Sequence, residues 1–382
     1  MKLAKISVFI SFLFFVFSCK QTTQKENNKS NLPSKPAKDT NAFVIGFYQG
    51  NLTEIDKYDV SKLTHLIFCF THLKGNKMCL DSNRDELVLQ HLVSLKEKHP
   101  RLKVLISLGG WGGCETCSDV FSSKEGRIEF VQSVKEMLVK YSADGIDLDW
   151  ESPVIGGYKN HKHAKVDKDN FTELVKELRS TLNKNHLICF DANCFDDYLK
   201  YSIDWKNGMP YVDWVNLMSY GLPGDSSGLS AHNSALYSSR FQYESADKGV
   251  RYLDSVGVPL KKIIIGAAFY AIAYENVDST DHGQRRRGKM RNDVMFKNME
   301  TKYPVSDGFE DFRDTVAQVP YMYSYKLRTF VSYDDSLSVT LKMRYAIEHK
   351  LGGIMFWKLN GDKYTEGLLD AIYREKFMSY KL

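Results

Sequence analysis

"ADGIDLDWES" (residues 143–152) has the pattern of a β-strand with acidic side chains on one face. Successive side chains of a strand point to opposite sides, so Asp147, Asp149 and Glu151 share a face at a spacing of about 6.6 Å. The other face carries only large apolar residues: Ile146, Leu148 and Trp150. If the apolar face packs outward on helices, three carboxylates must point into the space on the inner side.

These carboxylates predict a functional site rather than a structural ion pair. Desolvation and mutual repulsion disfavour their charged forms, so at least one pKa should rise, which keeps a carboxylic acid protonated near neutral pH. An ion-paired strand would need basic residues facing inward, and the other strand-like segments do not supply them. We therefore expect acid–base chemistry where this strand ends.

Eight apolar, β-rich runs alternate with helical segments along the chain. The strand-like runs cover residues 43–48, 65–70, 103–108, 145–150, 186–192, 214–218, 263–270 and 353–357. Helical periodicity marks residues 84–99, 124–141, 168–182, 243–256 and 338–350. Strands that alternate with helices favour a parallel sheet with crossover helices. Eight such units predict an α/β fold, the (β/α)8 TIM barrel.

Residues 271–334 interrupt this alternation between strand 7 and strand 8. The segment includes the β-rich stretch "VPYMYSYKLRTFVSY" (319–333). A structureless loop of this length is improbable inside a compact domain. The segment therefore predicts a small inserted α+β subdomain, which would wall one side of the barrel mouth.

The N-terminus predicts an export signal. Two lysines precede an apolar run, residues 6–17, which is too short to span a bilayer. Ser18 and Cys19 follow, and this order resembles the lipobox of bacterial lipoproteins, in which the cysteine is lipidated and becomes the mature N-terminus. Residues 1–19 are thus interpreted as a lipoprotein signal peptide. A secretory signal cleaved nearby and a short retained anchor are the alternatives.

Residues 20–41 are almost entirely polar and have the composition of a flexible linker. The catalytic domain is therefore expected to span residues 42–382. We expect an exported protein, anchored by lipid to a bacterial membrane, on the periplasmic face of the outer membrane or at the cell surface.

Six cysteines remain beyond the leader: 69, 79, 114, 117, 189 and 194. Cys69 and Cys189 lie inside apolar strand-like runs, where a free thiol behaves as a small hydrophobe. Cys114 and Cys117 form a CxxC motif, but neither a second CxxC nor a histidine pair at metal spacing accompanies it, so no metal site is predicted. A disulfide within this motif, or between Cys189 and Cys194, stays open.

The net charge argues against a polyanionic partner. It is only +5 over 382 residues, so nothing indicates a nucleic-acid surface. Phe and Tyr each occur 22 times, which suits both a well-filled core and stacking surfaces for sugar rings. A neutral ligand is therefore favoured.

Chemistry in a TIM barrel lies at the carboxyl ends of its strands. The strand ends supply candidates for ligand binding or for support of the site: Tyr48, Ser107, Gly110, Trp111, Met218, Tyr220 and Trp357. Asp144, at the start of the acidic strand, is a further supporting candidate. Each of these is weak evidence alone, because a strand-end Tyr or Trp is more often a core residue.

Taken together, these segments resemble glycoside hydrolase family 18, the chitinase-like enzymes. "DGIDLDWE" (144–151) matches the family signature DGxDxDxE at every fixed position, and "SLGG" (107–110) is similar to its SxGG strand. "FVSYDDSLSVTLKMRYA" (330–346) and "GGIMFWKLNGD" (352–362) resemble its last helix and strand. The resemblance covers residues 43–375, and the insertion resembles that of the chitinases with a deep cleft.

The resemblance implies a role for each matching residue. Glu151 would be the general acid/base, Asp149 would orient the substrate's acetamido group, and Asp147 would set the charge of Asp149. Tyr220 would hydrogen-bond the acetamido oxygen, and Trp357 would form a floor for the sugar at the scissile bond. The implied reaction is retaining hydrolysis of β-1,4-linked N-acetylglucosamine, with the substrate's own N-acetyl group as nucleophile and without metal or cofactor.

Three alternatives and two departures qualify the implied substrate, chitin. An endo-β-N-acetylglucosaminidase on N-glycans and a peptidoglycan-directed hydrolase would share the mechanism. A sugar-binding lectin on an inactive barrel would have lost the terminal acid, and Glu151 is present.

Gly221 replaces the family's usual Asp or Asn, and Ile272 replaces its Arg, so subsite contacts stay open. A monomer that contacts no nucleic acid, and contacts the membrane only through its lipid, is expected.

Overall fold

The computed structural model describes residues 40–222 and 228–378. The predicted signal peptide, Cys19 and almost all of the predicted linker lie outside these residues. Within the two described ranges, no helix is both long and apolar enough to cross a membrane.

Fourteen strands are formed by the described residues. They are β1 (Phe43–Tyr48), β2 (His65–Lys74), β3 (Lys77–Cys79), β4 (Lys103–Gly109), β5 (Gly145–Asp149), β6 (Leu187–Asn193), β7 (Trp214–Met218), β8 (Ile263–Ala268), β9 (Tyr270–Glu275), β10 (Lys289–Met295), β11 (Phe309–Asp314), β12 (Val319–Ser324), β13 (Thr329–Ser332) and β14 (Gly353–Trp357).

Eight parallel strands close into a barrel, which confirms the predicted fold class. Their order is β1-β14-β8-β7-β6-β5-β4-β2, and β1 also pairs with β2, so the ring has no free edge. The short strand β3 forms an antiparallel hairpin with β2 outside this ring.

Ten α-helices lie among the described residues. They are α1 (Asn83–Ser94), α2 (Cys117–Ser122), α3 (Lys124–Tyr141), α4 (Asp167–Leu182), α5 (Asp196–Tyr201), α6 (Trp205–Gly208), α7 (Ala246–Ser255), α8 (Met299–Lys302), α9 (Ser336–Glu348) and α10 (Leu368–Lys376). The five predicted helices correspond to α1, α3, α4, α7 and α9 apart from their ends. Between β1 and β2, two 3-10 turns, Ile55–Lys57 and Val60–Lys62, replace the α-helix.

Polar side chains fix where the long helices begin. Ser82, Ser123 and Ser245 each accept a hydrogen bond from a backbone N–H in the first turn of α1, α3 and α7, respectively. Asp335 and Ser338 form a reciprocal capping box at α9. Such caps satisfy donors that have no partner within the helix, so these polar residues define helix starts that apolar periodicity leaves uncertain.

The insertion between β8 and β14 is built on a second, antiparallel sheet. Its strand order is β10-β9-β13-β12-β11, and the short helix α8 connects β10 to β11. The predicted seventh barrel strand, 263–270, is slightly too long, because β8 ends at Ala268 and Tyr270 already begins β9.

The barrel wall separates two environments. Ile146, Leu148 and Trp150 of the acidic stretch point outward into the large apolar core beneath the helices, as predicted. The barrel interior has its own apolar cluster, which includes Ile45, Phe47, Leu105, Trp214 and Met355. The acidic side chains on the inner face of β5 share this enclosed interior, so the alternation of β5 divides its residues between core and site.

Candidate active site

Asp147 and Asp149 lie on the inner face of β5, and Glu151 follows directly after the strand. The two aspartates are fully or almost fully buried, whereas Glu151 is half-buried. Ser107 on β4 and Cys189 on β6 are the register neighbours of Asp147. The acidic stretch is therefore flanked on both sides by strands whose side chains reach the carboxylates.

Asp147 is the most fully hydrogen-bonded of the three. Its Oδ2 accepts from Ser107 Oγ at 2.7 Å, and its Oδ1 accepts from Cys189 Sγ at 3.0 Å and from Asn216 Nδ2 at 3.2 Å. Burial still raises the pKa of Asp147, but these donors act in the opposite direction. Ser107, predicted as a supporting residue, thus contacts the site through Asp147.

Asp149 lacks comparable donors. Its Oδ1 is buried and accepts no hydrogen bond from the described residues. Burial, followed by the negative charges of Glu151 and Asp147, raises the pKa of Asp149 well above its usual range. The surroundings of Asp149 therefore disfavour its ionised form.

Glu151 combines access to the barrel mouth with a raised pKa. No hydrogen bond to it is formed within the described part of the chain, and burial raises its pKa to about 7. A general acid works best when its pKa lies near the working pH. Glu151 thus has the property that a proton donor to a leaving group requires.

A fourth carboxylate, Asp191 on β6, also faces the barrel interior, and the sequence reasoning missed it. It is almost completely buried, and its carboxyl lies within hydrogen-bonding reach of both Asp147 and Asp149. The signal was present in the sequence, because Cys189, Asp191 and Asn193 alternate with apolar residues in the same way as the acids of β5.

Aromatic side chains line the mouth beside the acids. Trp357, at the end of β14, stacks on Phe70 at a centroid distance of 5.5 Å and an interplanar angle of 22°. Tyr220 packs edge-on against Tyr270 at 6.2 Å, and burial raises the pKa of Tyr220 well above its usual range, so its phenol stays protonated. Met218 lies in the interior cluster next to these rings. The predicted residues Met218, Tyr220 and Trp357 are thus brought to the same region.

A cavity of about 530 Å³ adjoins this mouth on the side of β2 and β4. Phe70 and Gly109 line it together with Trp111 and Tyr158. Trp111 is 64% exposed and meets Tyr158 edge-on at a centroid distance of 5.6 Å. An exposed indole in a cleft suits contact with a sugar ring. The cavity lies beside the carboxylates rather than over them, and Phe70, which stacks on Trp357, connects the two regions.

The loop that carries Trp111 is tightly constrained. Gly110 has a φ of +84°, and a Cβ there would lie 2.5 Å from the ring of Phe70, so only glycine fits. A disulfide joins Cys114 to Cys117 in the same loop. The alternative pair is not formed, because Cys189 faces the barrel interior whereas Cys194 lies in the outer core.

Two candidates do not reach the site. Tyr48 points outward into the core beneath the helices, and its hydroxyl donates to the carbonyl of Asn51. The alternation of β1 instead places Phe47 in the interior, 6.0 Å from Trp357 between ring centroids. The expectation for Tyr48 was therefore wrong by one residue.

Asp144 lies at the opposite end of β5 from Glu151. Its carboxylate accepts from the Nζ atoms of Lys96 and Lys103 at 2.9 and 3.2 Å and from the backbone N–H of Val104 at 2.8 Å. Asp144 thus connects the start of β5 to β4 through the hydrogen bond from Val104. The expectation that Asp144 supports the site was wrong, because its role is structural.

The two departures from the family pattern lie at the junction with the insertion. Gly221 has a φ of +63°, which favours glycine, and its N–H donates to Asn233 Oδ1 at 2.9 Å. Ile272 is buried in the apolar cluster of the inserted sheet. An arginine at position 272 would need a partner there, so the apolar packing accounts for its absence.

Comparison with known proteins identifies relatives along most of the chain. The family model described as glycosyl hydrolases family 18 matches residues 43–362. Chitinase A1 of Niallia circulans is 31% identical over 302 residues, which cover 72% of this chain and 43% of that protein. Chitotriosidase-1 of Mus musculus is 30% identical over 326 residues, which cover 80% of this chain and 68% of that protein.

A solved structure of a family 18 enzyme also resembles this chain along most of its length. The family 18 N-acetylglucosaminidase from Paenibacillus barengoltzii is 30% identical, with a TM-score of 0.78 over 87% of this chain and 99% of that chain. The chain spans less than half the length of chitinase A1, whereas it matches almost the whole of this structure.

Proposed function

The chain belongs to the glycosyl hydrolases of family 18, and from this membership we propose that it hydrolyses β-1,4 linkages between N-acetylglucosamine units of chitin and its oligosaccharides. The named chitinases among its relatives favour this substrate. The observation that carries the proposal is Glu151, a carboxyl with a pKa of about 7 at the mouth end of β5.

In the proposed reaction, Glu151 protonates the glycosidic oxygen of the leaving sugar. The acetamido carbonyl of the substrate attacks the anomeric carbon from within the same molecule as the bond to the leaving oxygen breaks. Water later opens the cyclic intermediate and gives a proton back to the ionised Glu151. An intramolecular nucleophile has a large advantage in proximity. The protein then has to orient and polarise the amide, which we assign to Asp149 and Tyr220.

The remaining side chains of the mouth would bind the polymer. Trp357 would form an apolar floor at the scissile bond, and Trp111 would bind a sugar beside it in the adjoining cavity. The two glycines before Trp111 allow the backbone to approach the sugar closely. No cofactor is part of this scheme, and a single copy of the chain contains every group it uses.

A direct assay distinguishes this substrate from N-glycans. We expect turnover of chitin oligosaccharides and little or no release of glycan from a high-mannose glycopeptide, since several of the similar proteins are named chitinases. Faster cleavage of the glycopeptide would favour the endo-β-N-acetylglucosaminidase alternative. Faster cleavage of peptidoglycan, assayed in parallel, would favour the peptidoglycan-directed hydrolase.

The pKa of Glu151 predicts the alkaline limb of the pH profile. The reaction needs the protonated acid, so kcat/KM should fall about tenfold per pH unit once the pH exceeds about 7. Initial rates on a chitin oligosaccharide from pH 4 to 10 would measure this limb. A rate that stays constant up to pH 9 would contradict Glu151 as the acid.

We also propose lipidation of Cys19, from the order of basic, apolar and small residues that precedes it. Several acyl chains hold a protein firmly to a bilayer, so the protein expressed with its native leader in a bacterium should partition with membranes. Cys19→Ala should be released or left unprocessed, which fractionation and mass measurement would detect. A wild-type protein found in the soluble fraction would argue for the secretory signal instead.

A further inference from the structure

Asp191 is a buried acid in the site for which the family resemblance implies no role. It lies on β6, and the register pairs Asp147 with Cys189 and Leu148 with Phe190. Two residues further along both strands, Asp191 therefore lies level with Asp149 on the inner face of the barrel. The inference below rests on the proposed function, because it concerns how Asp149 is prepared to hold the acetamido group.

The contacts of Asp191 require a proton between carboxyl groups. Its carboxyl reaches both Asp147 and Asp149, and Asn216 donates a hydrogen bond to it. The Oδ1 atoms of Asp149 and Asp191 are both buried, and neither accepts a hydrogen bond from the described residues. Two ionised carboxylates have no proton to share, so a contact between them is favourable only when one is protonated.

The surroundings of Asp191 contain acids and neutral donors. The carboxyls of β5 and its end face it, namely Asp147, Asp149 and Glu151. The remaining titratable groups near it are the thiols of Cys69 and Cys189 and the phenols of Tyr198 and Tyr220. Among the described residues, no Lys, Arg or His forms an ion pair with this cluster, so protons must limit its negative charge.

The hydrogen bonds indicate which of the three aspartates holds a proton. Asp147 accepts from three donors, which favours its ionised form. Asp149 must accept the amide N–H of the substrate in the proposed reaction, and a carboxylate is a stronger acceptor for it than a neutral acid. Asp191 is as buried as the two aspartates of β5, and among the described residues Asn216 is the one donor that offsets its burial, so a neutral acid is favoured at this position over Asp147.

We propose that Asp191 is a positioning residue: at neutral pH it is protonated and donates a hydrogen bond to Asp149, which keeps Asp149 ionised and oriented to bind the acetamido N–H. Burial and the neighbouring Asp147 and Asp149 charges raise the pKa of Asp191 well above its usual range. Burial and the charges of Glu151 and Asp147 also raise the pKa of Asp149, but the hydrogen bond from Asp191 acts in the opposite direction there.

Two substitutions separate this role from a structural one. In Asp191→Asn, an amide of the same shape still donates to Asp149 and accepts from Asn216, so kcat and the pH profile should stay close to wild type. In Asp191→Ala the donor is lost, and the pKa of Asp149 rises. The low-pH side of the kcat profile, its acid limb, should then shift to higher pH by about one pH unit or more. On that limb kcat should be about ten- to a hundredfold lower than in the wild type, whereas KM should change less.

An infrared measurement tests the proton without using a substrate. The carbonyl band of protonated carboxyl groups at pH 7 should lose intensity in Asp191→Asn. Asp254→Asn, at an exposed position outside the site, is the matched control and should leave that band unchanged. Thermal unfolding of each variant would establish that it is folded.

The outcomes distinguish the proposal for Asp191 from the proposed hydrolysis of chitin. A lost band in Asp191→Asn together with a shifted acid limb in Asp191→Ala supports the proposal. An unchanged band would mean that Asp191 is ionised, and a wild-type pH profile in Asp191→Ala would mean that it does not act on Asp149; either overturns the proposal. If the wild type leaves chitin oligosaccharides intact while the band is lost, the proposed function fails and the protonation of Asp191 stands.

Discussion

Replacing Glu151 with glutamine is expected to reduce turnover of a chitin oligosaccharide by at least about a thousandfold while affinity stays within about tenfold, because the amide has nearly the same shape but cannot protonate the leaving oxygen. The side chain is half-buried at the end of β5 and makes no hydrogen bond within the described residues. Its loss of charge therefore removes no structural contact, and stability should change little. Single-turnover rates and calorimetric binding would measure the two effects separately.

Glu310→Gln provides the matched control for this variant. Glu310 is exposed on β11 of the insertion, so the same chemical change there should leave both rate and affinity at wild-type values. If Glu151→Gln kept more than about a thousandth of the wild-type rate, another group would have to donate the proton, and the assignment of Glu151 would be wrong.

Removing the acetyl group from the sugar at the scissile position is expected to abolish cleavage, even where the sugar still binds. In the proposed mechanism this group is the nucleophile, and an intramolecular nucleophile is worth effective molarities of about 10⁵ to 10⁸ M. Cleavage of the deacetylated position should therefore be slower by at least about a thousandfold. A thiazoline mimic of the cyclic intermediate should, by the same reasoning, inhibit strongly.

The anomeric form of the product gives a second test of the same mechanism. The amide attacks one face of the anomeric carbon and water returns to that face, so proton NMR should show the β-anomer first. Oligosaccharides that carry one glucosamine away from the scissile bond are the matched control and should be cleaved. Initial α-product, or rapid cleavage of fully deacetylated chitosan, would refute substrate assistance.

Much of the fold was predictable because it depends on local patterns. Eight apolar runs alternating with amphipathic segments predicted the barrel, and β5 divides its residues between core and site as alternation requires. The acids of β5 were identified for the same reason, since a carboxylate on the inner face of a buried strand needs a special environment. Strand periodicity and the cost of burying charge are both readable from adjacent residues.

Other parts of the site depend on neighbours that are distant in sequence. Its position at a strand end predicts Tyr48 as a site residue, but the side-chain alternation of β1 places Phe47 in the interior instead. Asp191 reaches Asp149 only because β6 lies beside β5 in a fixed register. The sequence left open whether a disulfide joins Cys114 to Cys117 or Cys189 to Cys194. The first pair forms, and the second does not, because Cys189 and Cys194 lie on opposite sides of the barrel wall.

The sequence by itself determined the barrel and the acidic inner face of β5, because side-chain alternation and the avoidance of buried charge act over a few residues. Only the tertiary structure decided which acids lie beside one another and which aromatic rings line the barrel interior. Those outcomes depend on strand register and on the angle at which each strand enters the barrel. Both are set by packing among residues far apart in the chain, and no short stretch of sequence records them.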